Sequence, residues 1–267
     1  MDVKATLEKK AGGGGKLKIT PGMEISDLIK TLEPEIARAL PSILTPERFT
    51  RMALNALNNT PKLAECTPMS FLSALMSAAQ LGLEPNTPLG QAWLIPYKNK
   101  GVLECQFQIG YKGLIDLVYR NDMVQTVQAQ AVYENDEFYY ALGLNSDLRH
   151  VPHLRDRGEI VAFYALFKLE NGGYGFEVMS KQDMDNFAQK YSKGISSDYS
   201  PWRTNYEDMA KKTVIKQVLK FAPLKTEFQR ALSNDDTIKH ELSIDMSEVE
   251  PEDIIDLEEE KAVETVA

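Results

Sequence analysis

The chain has 267 residues, 43% of them hydrophobic and 26% charged, enough apolar content to bury a core, so one globular domain with appendages is expected. No apolar run approaches the ~20 residues of a membrane-spanning helix and the polar start has no signal-peptide hydrophobic region, so a cytoplasmic location is expected. The net charge of −9 hides a division: Asp235 to Ala267 holds 13 acids against 2 lysines, a net −11, which leaves +2 on the residues before it.

Residues 1–24 read as a flexible N-terminal segment. Gly12-Gly-Gly-Gly15 followed by Lys16 superficially suggests a phosphate-binding loop. That loop needs a Gly where Lys10 stands and a Ser or Thr where Leu17 stands, so the run is a linker. Residues 25–232 read as an α+β core. Ser26 to Leu40 is a helical stretch. Thr45-Pro46 starts a second helix with an N-cap Thr and Pro at its first position, and Thr67-Pro68 repeats the device for a third. In that third helix Met69, Leu72, Leu75, Met76 and Ala79 recur at helical spacing, which packs one face on a core. Glu84-Pro85-Asn86-Thr87-Pro88 follows as a rigid loop, either a fixed connector or a reach toward a neighbouring subunit.

Strands come next. Leu103, Cys105, Phe107 and Ile109 alternate with Glu104, Gln106 and Gln108, turning one face inward and leaving an amide-rich face outward. Ala92 to Tyr97 pairs with this strand across Lys98-Asn99-Lys100-Gly101, with Asn99 and Gly101 supplying turn chemistry. Tyr111 to Arg120 reads as a helix on which Asp116 and Arg120 can pair. Gln125–Glu134, Glu137–Leu142, Glu159–Leu169 and Tyr174–Met179 read as strands, the last hairpin closed by Asn171-Gly172-Gly173. Ser180 and Asp183 form a capping box for a helix to Tyr191, and a Gly/Ser-rich loop to Pro201 leads to a final helix, Thr204 to Phe221. Cys66 and Cys105 lack pairing or metal spacing and read as core residues, and His150 and His153 as a loop pair. No metal or cofactor is implied.

Residues 233–267 read as an acidic, disordered tail, since no core-forming periodicity extends past about Leu232. Its role stays open between solubilising the protein, docking a partner (Ile254, Ile255 and Leu257 sit amid acids) and competing with nucleic acid for a basic groove.

On a helical wheel at about 100° per residue, Val214, Ile215, Val218, Leu219 and Ala222 share one arc of the final helix. Lys212, Lys216 and Lys220 are read on the opposite side as a positive stripe. Lys211 falls inside the apolar arc, where it must snorkel out or meet a negative group. Trp202, Arg203 and Asn205 precede the stripe. Aromatics interleaved with cations suit sequence-tolerant binding of single strands, since every base offers a π face and every nucleotide a phosphate. Gly110-Tyr111-Lys112-Gly113, at a strand-to-helix junction, permits close backbone approach and offers free N–H groups to an anion; the plainer reading is a β-to-α turn with Tyr111 packed on the core. Lys98 and Lys100 at the hairpin tip are weaker candidates.

Three blocks, Leu81-Gly-Leu-Glu-Pro-Asn-Thr-Pro-Leu-Gly-Gln-Ala-Trp-Leu-Ile-Pro-Tyr97, Phe107-Gln-Ile-Gly-Tyr-Lys-Gly-Leu-Ile-Asp116 and Met209-Ala-Lys-Lys-Thr-Val-Ile-Lys216, resemble the RecT family of phage single-strand DNA annealing proteins in letters, order and spacing, from about Ile25 to about Arg230. The resemblance implies ATP-independent pairing of complementary strands in phage recombination, without catalytic chemistry, and favours the DNA-contact reading of Tyr111, Lys112 and Gly113. It implies a compact antiparallel β core backed by helices and assembly into a ring or helical filament. The implied partners are single-stranded DNA, the annealed duplex intermediate, a phage exonuclease and the host single-strand-binding protein. Phosphate contacts position a strand without reading its sequence, as annealing requires. Two rival classes remain: a coating protein that binds single strands without annealing them, and a nuclease that holds magnesium with the acids of Glu134-Asn-Asp-Glu137.

Overall fold

The computed structural model describes residues 25–252 apart from 32, 41–43, 193–194, 196–199, 224–227, 229–231 and 244. The N-terminal segment, the tail beyond 252 with Ile254, Ile255 and Leu257, and most of the loop before Pro201 lie outside the described residues. The chain divides into two units, one formed by the residues up to Gly113 together with those from Thr226 onward, the other by Leu114–Lys225.

In the first unit the opening helical stretch is two helices, α1 (Ile25–Thr31) and α2 (Glu33–Ala39). Pro34 lacks an N–H and is accommodated only in a first turn, which it occupies in α2. α3 (Pro46–Asn59) starts where Thr45-Pro46 predicts it, with the Thr45 hydroxyl accepting from the Arg48 N–H at 3.3 Å. α4 (Pro68–Leu81) is buried nearly all round, serines included, and ends on Gly82 in the left-handed region at φ 58°. It packs on the hairpin of β1 (Ala92–Asn99) and β2 (Val102–Ile109). Ser70 of α4 accepts the Cys105 N–H at 2.8 Å, and Leu94, Cys105, Phe107 and Ile109 supply the buried face of the hairpin. Burial pushes the Cys66 thiol up to about 12 and the Cys105 thiol well above its ordinary value. Register runs from Ala92 opposite Ile109 to Asn99 opposite Val102. The turn is Lys100-Gly101, both at positive φ (49° and 85°), as a two-residue hairpin turn of this twist requires. Asn99 is instead buried and donates to Glu104 at 2.9 Å. The Glu84–Pro88 loop clips to its own β1, where the Asn86 side chain accepts from Leu94 N–H at 2.7 Å.

Past the expected core boundary at Leu232, the described residues are also packed. From Asn234 to Glu252 the chain runs as a strap along β2 and α4. Phe107 N–H donates to Thr237 O at 3.0 Å, Ile109 N–H to Asp235 at 2.7 Å, and Gln108 to the Asp236 carboxylate at 2.7 Å. His240 pairs with Glu104 at 2.8 Å. The face predicted to be open and amide-rich is therefore covered, and Glu104 and Gln108 are buried. Ser73 and Gln80 of α4 donate to the carbonyls of Glu241 and Ser243 at 2.9 and 3.0 Å. The Lys239 ammonium is buried between Asn234 Oδ1 and Met246 O, and that burial lowers its pKa. Ile238, Met246 and Val249 are buried. An extended irregular strap has no fixed side-chain period, so its few apolar residues carry no periodic signal.

The second unit is layered. β3 (Val124–Tyr133), β6 (Ile160–Leu169) and β7 (Tyr174–Ser180) form an antiparallel sheet in the order β3-β6-β7. The period of two divides β6: Phe163, Ala165 and Phe167 share one face, Ala162, Tyr164 and Leu166 the other. A two-stranded arm, β4 (Glu137–Ala141) with β5 (Asp147–Val151), lays Phe138 and Leu148 on the second face. The sheet also packs against α8 (Tyr206–Val218), whose Tyr206 meets the first face at the Phe163 ring, 5.9 Å between centroids. The helix α6 (Lys181–Tyr191) begins with the predicted Ser180/Asp183 capping box. The α+β class with antiparallel sheets backed by helices stands as expected.

Candidate nucleic-acid interface

At the base of the β1–β2 hairpin, strand and helix backbones cross closely. α5 (Tyr111–Tyr119) starts immediately after β2. Gly110 N–H donates to Gln91 O at 2.9 Å. A Cβ on Gly110 would stand 2.1 Å from Gly90 O, and one on Gly113 would stand 2.0 Å from Gln91 O. The close approach that these glycines permit is thus taken by the protein's own backbone rather than left for a ligand, and Gly113 is buried. Tyr111 is half-buried and Lys112 is exposed, with no ion-pair partner among the described residues.

Beside Lys112 lies a residue to which the sequence reading assigned no role. Trp93 is 39% exposed. Gly90, at φ 64°, faces both side chains: a Cβ there would lie 3.6 Å from Lys112 Cδ and 3.9 Å from Trp93 Cζ2, while Trp93 Nε1 would be 3.3 Å from a Cβ on Gly110. One edge of the indole is therefore seated on the glycine crossing, next to the aliphatic stem of an exposed lysine. The available signal was phase: Trp93 alternates with Ala92 and Leu94, which are core.

Lys98 and Lys100 lie at the far end of the hairpin, about 20 Å along it at ~3.3 Å per residue. Lys98 is exposed. Lys100 approaches Glu252 of the strap at 3.9 Å.

In the second unit several expectations change. Trp202, in the short helix α7 (Pro201–Thr204), is 8% exposed. Its ring meets Tyr206 edge-on with centroids 5.9 Å apart, and Tyr206 donates to Asp185 at 2.6 Å. Trp202 anchors α7 and α8 and offers no open face to a base. Lys212 is 4% exposed and does not join a solvent-facing stripe. Its wheel position lies only ~20° from that of Leu219, and Thr213 on another flank is buried as well, so α8 has no wide polar side. Lys211 is paired with Glu207 of its own helix at 2.6 Å, which supplies the negative group its position demanded. Lys216 is half-buried. Lys220, beyond the end of α8, is exposed and donates to Gln217 at 2.6 Å. Arg203 and Asn205 are exposed.

Among the acids around Glu134, Asp136 is held in an internal network. Asp136 has no exposed side-chain surface and its two oxygens accept from Arg157 (2.6 and 3.0 Å), His150 Nε2 (3.0 Å) and the N–H groups of Tyr133 (3.0 Å) and His153 (2.8 Å). The Arg157 guanidinium, with the His150 and backbone donors, holds this carboxyl well below the usual carboxylate range against the opposing effect of burial. His150 is a strand residue of β5, not part of a loop pair, and its other nitrogen lies 3.3 Å from the Tyr164 hydroxyl. Glu134 is engaged by the Glu159 N–H at 3.3 Å. Both oxygens of Asp136 are thus taken by protein donors.

Comparison with known proteins agrees with the three sequence blocks. The RecT family model matches residues 47–254, which takes in the strap and the expected core from residue 47 onward. The chain is 37% identical over 247 residues to Protein RecT of Escherichia coli K12, covering 91% of this chain and 90% of that protein. It is 32% identical over 219 residues to the uncharacterized protein YqaK of Bacillus subtilis 168, covering 82% of this chain and 74% of the relative.

Proposed function

The chain belongs to the RecT family, and from that premise we propose that it anneals complementary single strands of DNA during phage recombination without consuming ATP, holding each strand by its phosphates. The observation that carries the reading is the exposed Lys112 beside the glycine crossing, in a block shared with the family, together with exposed Lys98 on the same hairpin. Arg203, Asn205 and Lys220 are the exposed candidates of the second unit, with Lys216 half-buried. Lysine and arginine position a phosphate backbone without specifying sequence, so the base edges stay available to a partner strand. Independence of ATP is supported by the phosphate-loop pattern that Lys10 and Leu17 break. Exonuclease and host single-strand-binding protein are the partners that the family suggests for delivering strands.

Assembly into a ring or filament is supported by the β4–β5 arm. Tyr139, Leu142 and Leu144 face solvent, Leu144 completely, and apolar exposure at the tip of an arm favours contact with another copy. Replacing Leu142 and Leu144 by Glu should change the stability of the fold by no more than about 0.5 kcal/mol each, as for most surface positions. It should also lower the mass of the DNA-bound assembly in light scattering; an unchanged assembly would remove the arm from the subunit interface.

The test of phosphate contact is salt dependence. Lys98→Ala with Lys112→Ala should weaken binding of single strands and reduce the slope of log affinity against log salt by about 0.7 for each phosphate no longer neutralised. Unchanged affinity with an unchanged slope would remove the hairpin from the site. Lys212→Ala is not a surface control, since it acts on a buried position.

A further inference from the structure

We propose that Trp93 is a base-stacking platform that takes the face of one nucleobase of a bound single strand while Lys112 holds the adjoining phosphate. The proposal deepens the annealing reading and rests on it. The sequence pointed to Trp202 as the aromatic partner of the cations, but that ring is enclosed by the protein core. Trp93 is the tryptophan left accessible, and it is exposed although the strand around it supplies core residues on either side in sequence, Ala92 and Leu94. Its orientation is built rather than incidental. The indole edge lies against the glycine crossing: a Cβ on Gly110 would stand 3.3 Å from Nε1, tighter than an ordinary contact, and one on Gly90 would stand 3.9 Å from Cζ2, at ordinary contact distance. The same Gly90 position touches the Lys112 stem, so cation and ring are presented together.

A base with one face on an indole keeps its pairing edge free, because stacking uses the π face and pairing uses the perimeter. A platform of this kind adds affinity for single strands without obstructing a complementary strand, which base-edge hydrogen bonds would do. It also accepts any base, as annealing without sequence preference requires.

The experiment follows indole emission of the full chain during titration with oligothymidylate and with an abasic oligonucleotide of the same length. Trp202, buried against Tyr206, supplies a constant background. Oligothymidylate should quench the emission and the abasic strand should not. Trp93→Phe should abolish the change while retaining most of the affinity, because phenylalanine still stacks. Trp93→Ala should weaken oligothymidylate binding about five- to 150-fold, the range for loss of one base–aromatic stack, and leave abasic binding unchanged. If both strands bind equally and emission does not move, Trp93 is no platform and phosphate contact alone remains. If neither strand binds, the annealing reading itself is overturned. The emission of the native chain decides the matter even if the alanine variant fails to fold.

Discussion

A chain ending at Asn234 should lose the cooperative unfolding of the first unit, whereas a chain ending at Glu252 should keep it. The shorter truncation removes Asp235, Thr237, Lys239 and Met246, and with them the acceptors of the Ile109 and Phe107 N–H groups and the cover over α4. Burial of Ile238, Met246 and Val249 contributes on the order of 1.5–3 kcal/mol each, and each backbone donor left buried without a partner costs about 1–3 kcal/mol more. Together these are comparable with the ~5–15 kcal/mol that hold a typical domain folded. Residues 253–267 carry six acids and one lysine, a net −5, and their removal takes away charge without taking away the strap. Circular dichroism melts of the two truncations check this; a sharp native-like transition in the shorter one would show that the strap is dispensable. The longer truncation also tests the acidic end as a competitor, since a competitor's loss should raise DNA affinity at low salt, where screening is weak.

Asp136→Asn should be the most damaging single substitution in the second unit. The carboxylate is buried and joins Arg157, His150 and two backbone N–H groups, with the Arg157 guanidinium lying 4.0 Å from the centre of the Tyr133 ring. Breaking one side of a buried ion pair costs about 3–5 kcal/mol, which for a protein of this size lowers the melting temperature by roughly 6–20 °C. The pH dependence has a definite sign. Folding holds the Asp136 carboxyl below its usual range, so its contribution is complete above the ordinary carboxylate pKa of about 4 and is lost as pH falls through the depressed folded value. The native protein should therefore lose stability on acidification below about pH 4 more steeply than the Asn variant. Equal slopes would mean that Asp136 does not carry the acid dependence.

What was legible in the sequence was local. Thr45, Ser180 with Asp183, and the inward apolar residues of β2 each act on neighbours a few positions away, and the structure places them as read. Pairing at long range was not legible. Ser73 meets Glu241 and Ile109 meets Asp235 across more than a hundred residues, and neither acid is distinguishable by type from those of a solvated tail. On α8 the wheel itself sets Lys212 about 20° from Leu219, at the edge of the apolar arc, so reading it with Lys216 and Lys220 as a stripe missed its burial; Trp202 was read as an open platform only from its place before that stripe, and its contact with Tyr206 is not visible in spacing. At the site, Gly110 to Gly113 was read as a close backbone approach open to an anion, whereas Gly90 and Gln91, about twenty residues upstream, fill it.

The central claim is that this chain pairs strands rather than only coating them. Two complementary oligonucleotides, one labelled with a fluorophore and the other with a quencher, should anneal faster with the protein present than without it, with no nucleotide and equally in the presence of a non-hydrolysable ATP analogue. Strands that are bound but anneal no faster, or more slowly, would identify a coating protein, and a strict requirement for ATP would contradict the account outright.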